Sequence, residues 1–226
     1  MPRETLNRQM SQIQDEILIL GSMVEQAMLS AVDTLKRRER KEARSIFEQD
    51  QVINDKRFAI ENAVIILMAT QQPMARDLRN LAAMLEVNSE LERMGDYAKG
   101  IAKVVLLLGD SESFMPAAEI TTMTEKAVSM LHRALTAFIE ENVNQALAIP
   151  KEDQEVDDLF NVAYRKIVDE MMANPASIDQ TNYMIWVIHN IERMADRVTN
   201  ICERTIFIAT GELYEVDGMD EEDLDL

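Results

Sequence analysis

Apolar side chains recur every three or four positions along most of the chain, which is the signature of helices with one buried face. Residues 4 to 37 carry Leu6, Met10, Ile13, Ile17, Leu20, Val24, Ala27, Ala31 and Leu35 at that spacing. The charged cluster KRRERKE at 36 to 42 interrupts the stripe and predicts a turn. A second helix follows to about 71 through Ile46, Phe47, Ile53, Ile60, Val64 and Leu67. Pro73 then sits where the first turn of a third helix tolerates it. That helix runs through Leu78, Leu81 and Leu85 to Gly109, a C-terminal stop. A linker, DSESFMP, leads to a fourth helix over 117 to 147; Pro150 opens a fifth, which Asn174 and Pro175 end, and a sixth runs from about 178 to Gly211. The 6 glycines and 5 prolines fall mostly at element ends, with Gly21, Gly95 and Gly100 as exceptions. Nothing in the pattern predicts strands, so the fold class is all-α.

The six helices form two sets of three. The phrase ERMGD at Glu92 to Asp96 returns as ERMAD at Glu192 to Asp196. Met23, Glu25 and Ala27 match Met123, Glu125 and Ala127 at the same offset of 100, and the middle helices match at 103, with Ile46, Asp50 and Ile53 against Ile149, Asp153 and Val156. Loops absorb the three extra residues while helices keep register. This is an internal duplication: two tandem three-helix bundles, at 1–110 and 116–212, followed by an acidic tail at 213–226 expected to be disordered.

Charge narrows the function classes. Forty-one acidic against twenty-three basic side chains give a net charge of -18. Such a balance argues against binding nucleic acid or anionic lipid, where Lys and Arg must neutralise phosphate, and favours cations or a basic protein surface. One cysteine, Cys202, excludes an internal disulfide and fits a reducing compartment. The N-terminus lacks the apolar stretch of a signal peptide, and runs such as AVIILMA at 63 to 69 fall short of a membrane span. A cytoplasmic protein with no membrane insertion is expected.

The candidate chemistry lies in acids four residues apart, which share one helix face. Glu92 with Asp96 and Glu192 with Asp196 each place two carboxylates on one patch, at a repulsive cost of about 0.2–0.5 kcal/mol per pair. Neither glutamate has a cation three or four residues away on its own helix. The repeat register exposes a second set: Asp50 and Asn54 match Asp153 and Asp157, beside the apolar stripe. If the middle and last helices of each bundle pack together, each seam gathers four oxygen-bearing side chains. Sulfur-free sites of that kind suit Mg, Mn or Fe, with Zn also accepted.

The two ERMxD phrases, QQPMARDLR at 71 to 79, the segments Asp50 to Asn54 and Asp153 to Asp157, and the doubled three-helix layout together resemble the PhoU family of bacterial phosphate-transport regulators. The resemblance spans roughly residues 4 to 212. It implies a cytoplasmic, often dimeric protein that acts with the ATPase of the phosphate ABC transporter and a phosphate-sensing histidine kinase to restrain phosphate uptake and the starvation response. It also implies metal ions, Fe, Zn, Mn or Mg, on paired E/DxxxD motifs. Carried onto this chain, the pairs are Asp50 and Asn54 with Glu92 and Asp96, and Asp153 and Asp157 with Glu192 and Asp196. Asn54 departs from the motif, since an amide is a neutral and weaker ligand. The first site is therefore expected to bind less tightly or hold fewer ions.

Other readings stay open. The acids also fit a solvated face, or a salt-bridge network with Arg79, Arg93 or Arg193, in a metal-free helical adaptor that docks a basic partner. A metal-dependent bundle enzyme would show Glu-x-x-His steps on two helices; this chain has one His-x-x-Glu, His189 to Glu192, with Ser89 at the matched place. No Gly-rich phosphate loop, Ser/His/Asp set or Cys/His pair appears, so an enzyme is not expected. His132 has no acidic neighbour in the sequence pattern. Trp186, Phe207 and most of the sixteen methionines read as packing, and Cys202 points away from the motif face.

Overall fold

A computed structural model describes residues 2–109 and 113–213; the expected tail lies outside them from residue 214 onward. The helices are α1 (Pro2–Arg37), α2 (Arg40–Gln71), α3 (Ala75–Leu108), α4 (Ala117–Glu140), α5 (Val143–Ala148), α6 (Asp153–Ala173) and α7 (Ile178–Thr210). Tight helical turns at Ile149–Glu152 and Pro175–Ser177 lead into α6 and α7. Among the described residues there is no strand. The six long helices are the six expected from periodicity, and they form the bundles α1–α2–α3 and α4–α6–α7.

The predicted stripes form the core. Ile17, Leu20, Val24 and Ala31 of α1 are fully buried, as are Val64 of α2, Leu81 of α3 and Val198 of α7. By length and composition α1 is apolar enough to cross a membrane, a property the short apolar runs of the sequence do not suggest. Its stripe residues Ile17, Leu20, Val24 and Ala31 are buried against the other helices, while Ile19 and Leu29 stay exposed. Two stripe positions depart from expectation: Leu78 is exposed, and so is Phe47, whose ring lies beneath the Lys99 ammonium at 5.2 Å.

The helix ends refine the expected boundaries. Pro73 lies before α3 in a short turn that begins at left-handed Gln72 (φ 47), so it precedes the helix rather than opening it. The fourth helix stops at Glu140 instead of continuing to 147. Glu141 takes a left-handed conformation (φ 52), and the Asn142 side chain accepts a hydrogen bond from the Gln145 backbone N–H at 3.1 Å, capping α5. Apolar periodicity runs through this break because Ala137, Phe138, Ala146 and Leu147 are all buried on both sides of it. Pro150 does stand at a helix entry, in the first turn before α6.

The duplication is visible in three dimensions. The sequence of buried, partly buried and exposed positions over 91–100 repeats position by position over 191–200. The bundles join mainly where α3 packs on α7, with α1 on α4 beside them. Across α3 and α7, Arg204 pairs with Glu86 at 2.9 Å and Asn200 donates to Glu90 at 3.3 Å. At the other end Asn190 lies 3.4 Å from where a Cβ on Gly100 would stand. Residues rising along one helix thus meet residues falling along the other, and position 90 meets 200 as 100 meets 190. This antiparallel, pseudo-twofold contact is the intramolecular counterpart of an isologous dimer interface. Near its centre the repeat mates 97 and 197 touch: Arg197 Nε donates to the Tyr97 hydroxyl at 2.6 Å and Nη1 to Glu90 at 2.7 Å.

Candidate metal centre

The first seam forms where α2 and α3 approach closely. A Cβ at Gly95 would stand 3.1 Å from Ile53 Cγ2, so the glycine lets the two backbones draw together. Asp50 of α2 is only 5% exposed. Its Oδ2 accepts hydrogen bonds from Lys99 Nζ at 2.6 Å and from Asn54 Nδ2 at 3.0 Å. Glu92 is held above the usual carboxylate range by burial and by repulsion from Asp96 and Asp50, with Arg57 and Arg93 offsetting part of the rise. Asp96 points to solvent, yet it borders the packed seam closely enough that lost hydration leads its own rise; Asp50 adds to it and Lys99 opposes it. The Lys99 ammonium is in turn stabilised by its hydrogen bond to Asp50, and by attraction to Asp50, Asp96 and Glu92. Asp50, Asn54 and Lys99 are therefore in direct contact, and Glu92 and Asp96 feel the charge of Asp50 from the facing helix.

The second seam, between α6 and α7, repeats the placement with different chemistry. Glu192 is pushed upward by burial, then by Asp196 and Asp157, while His189 offsets part of the effect. The His189 ring leans on Phe160, with centroids 4.8 Å apart, and its Nδ1 lies 3.7 Å from Glu192 Oε2. Asp153 and Asp196 border an open depression of about 420 Å³ together with Thr199. Arg193 and Arg197 also border it. Arg197 is engaged by Glu90 and Tyr97, and the Arg193 guanidinium lies 5.9 Å from the centre of the Tyr97 ring. Asp153 thus meets Asp196 at the depression, and Asp157 and Asp196 both act on Glu192.

The sequence pattern passed over two residues. Lys99 stands three positions after Asp96, a spacing that marks a helical neighbour, but its partner Asp50 lies on another helix. His132 does have an acidic neighbour, Glu25 of α1, with Nδ1 3.3 Å from Oε1 across the bundle boundary. Cys202 is fully buried, and burial pushes its thiol up to about 12.

The fit to a cation differs between the seams. Among the described residues, no three His, Cys, Asp or Glu side chains stand together as a ready-made metal set. The second seam offers carboxylate donors, and a cation would relieve the repulsion of Glu192 by Asp196 and Asp157. In the first seam an ammonium already holds Asp50, and an amide replaces one acid.

A family model described as the PhoU domain matches the chain twice, over residues 17–105 and 120–205. The chain belongs to the PhoU family. Each match covers one of the two bundles. The chain is similar to the "Phosphate-specific transport system accessory protein PhoU homolog" of Clostridium acetobutylicum, 32% identical over 217 residues, covering 96% of this chain and 99% of that protein. It is similar to the Escherichia coli K12 protein described as "Phosphate-specific transport system accessory protein PhoU", 28% identical over 217 residues, covering 96% and 90% of the two chains. Among solved structures it resembles the phosphate transport system regulatory protein PhoU from Streptococcus pneumoniae. The TM-score is 0.86 at 30% identity, over 92% of this chain and 99% of that one. PhoU proteins are regulatory accessory proteins and not enzymes.

Proposed function

We propose that this chain is an accessory regulator of phosphate transport that restrains phosphate uptake and the phosphate-starvation response from the cytoplasm. The observation that carries this reading is the duplicated carboxylate seam, at Asp50, Asn54, Glu92 and Asp96 and again at Asp153, Asp157, Glu192 and Asp196, in a chain of the PhoU family. The partners that fit are the ATPase of the phosphate ABC transporter, a phosphate-sensing histidine kinase and a second copy of the chain.

In this reading the acids of α6 and α7 hold Fe, Zn, Mn or Mg. A bound cation would supply positive charge that cancels the repulsion among them. The side chains do the rest: Asp153 and Asp157 position one wall of the seam, Glu192 and Asp196 the other, and His189 braces Glu192 from the side. With that repulsion relieved, α6 and α7 keep a fixed spacing and present a stable face to a partner. Because carboxylates must be ionised to serve as ligands, metal affinity falls as pH drops toward carboxylate values.

The metal-free adaptor remains the second reading, favoured by the absence of a ready-made ligand set among the described residues. Uptake of labelled phosphate tests the function. Cells lacking the protein should take up more phosphate; the parent chain should restore restraint, and the Glu192→Gln, Asp196→Asn variant should not. Unchanged uptake on removal of the protein would overturn the proposal. If the variant loses restraint but keeps its metal, the adaptor reading replaces the metal one.

A further inference from the structure

We infer that the two seams are neutralised differently: Lys99 closes the first with the chain's own ammonium, and only the second takes a metal cation. This rests on the metal reading of the second seam, and it assigns to Lys99 a role that the repeated motif does not contain.

Three differences between the repeats favour the same outcome. Thr199 occupies the position matched to Lys99, so the second seam has a hydroxyl where the first has a cation. Asp157 occupies the position matched to Asn54, so the second seam has an acid where the first has an amide already donating to Asp50. Asp50 is buried beneath its two donors, whereas Asp153 is only partly buried. An entering divalent ion would have to displace an ammonium held 2.6 Å from Asp50, in a site already carrying that positive charge. Phe47 strengthens the hold, since its ring lies 5.2 Å from the Lys99 nitrogen and a cation over an aromatic face is attracted to it. The position matched to Phe47 is Pro150, which offers no such ring.

The arginines beside the second seam do not repeat the arrangement. Arg197 is committed to Glu90 and Tyr97, and Arg193 stands by the Tyr97 ring.

The test is metal bound per chain, measured by elemental analysis after dialysis against Fe, Zn, Mn and Mg salts in turn. Glu92→Gln, Asp96→Asn should leave the parent loading unchanged, and Glu192→Gln, Asp196→Asn should abolish it. The variant Asn54→Asp, Lys99→Thr, which gives the first seam the side chains of the second, should roughly double the loading. That gain should disappear when Glu92→Gln and Asp96→Asn are added. If the Glu92, Asp96 pair lowers parent loading, or the remodelled seam folds and gains nothing, the inference is overturned while the metal reading of the second seam survives. No metal in any protein overturns both. Where the remodelled variant does not fold, the two loss pairs decide alone.

Discussion

At Asp50 a carboxylate almost out of water is held by one ammonium and one amide, Lys99 and Asn54. Removing the ammonium leaves a buried acceptor short of its strongest donor. Lys99→Met should therefore cost about 1–3 kcal/mol, read as a lower urea midpoint with unchanged slope; an unchanged midpoint would mean that the pair contributes nothing to folding. Two glutamates of the second repeat should respond to pH with opposite signs. Glu152 is lowered by its paired hydrogen bonds to Arg133, at 2.6 Å each. Its contribution is present above the ordinary glutamate pKa and lost as pH falls through the depressed folded value. Both partners are substantially exposed, so solvent screening limits it to about 0.2–1 kcal/mol. Glu192 is raised, so its ionised form disfavours folding at neutral pH, and the penalty fades as pH falls through its folded value. In metal-free protein, Glu152→Gln should lower Tm at neutral pH and Glu192→Gln should raise it, both differences shrinking on acidification. Equal signs would contradict the assignment. The spacing of four that marks these acids was legible in the sequence. Lys99 was not, because its partner lies 49 residues away and helical spacing describes only neighbours within one helix.

The long helices follow from apolar periodicity, and that same signal conceals the break near residue 141. Ala137 and Phe138 before it and Ala146 and Leu147 after it all enter the core, so the hydrophobic stripe continues while the backbone turns. The cue was the cap residue. Asn142 accepts from the Gln145 N–H, and Asn142→Ala should cost about 0.5–2 kcal/mol, seen as a lower thermal midpoint with faster amide exchange over 143–148. Exchange rates matching the parent would show that α5 is held by packing alone. Gly95 was legible only as an exception to glycine placement. Its reason is the approach of Ile53 from α2, which sequence spacing within α3 cannot reveal.

The duplication predicted two bundles, but not how they join. The α3–α7 contact depends on pairs between the repeats, Arg197 with Glu90 and Tyr97 and Arg204 with Glu86, and no periodicity within one repeat encodes them. Because α1 also packs on α4, the halves share core and polar contacts. Circular dichroism and tryptophan fluorescence, which reads Trp186 in the second half, should therefore give coincident urea transitions; two separated transitions would show that the repeats unfold independently. The repeated acids are tested by the metal content of the purified protein beside Glu192→Gln, Asp196→Asn. Metal in the parent and none in the variant is the expected result. Equal metal in both, or none in the parent after exposure to Fe, Zn, Mn and Mg, would rule out metal on these residues and leave the acids as a docking face for a basic partner.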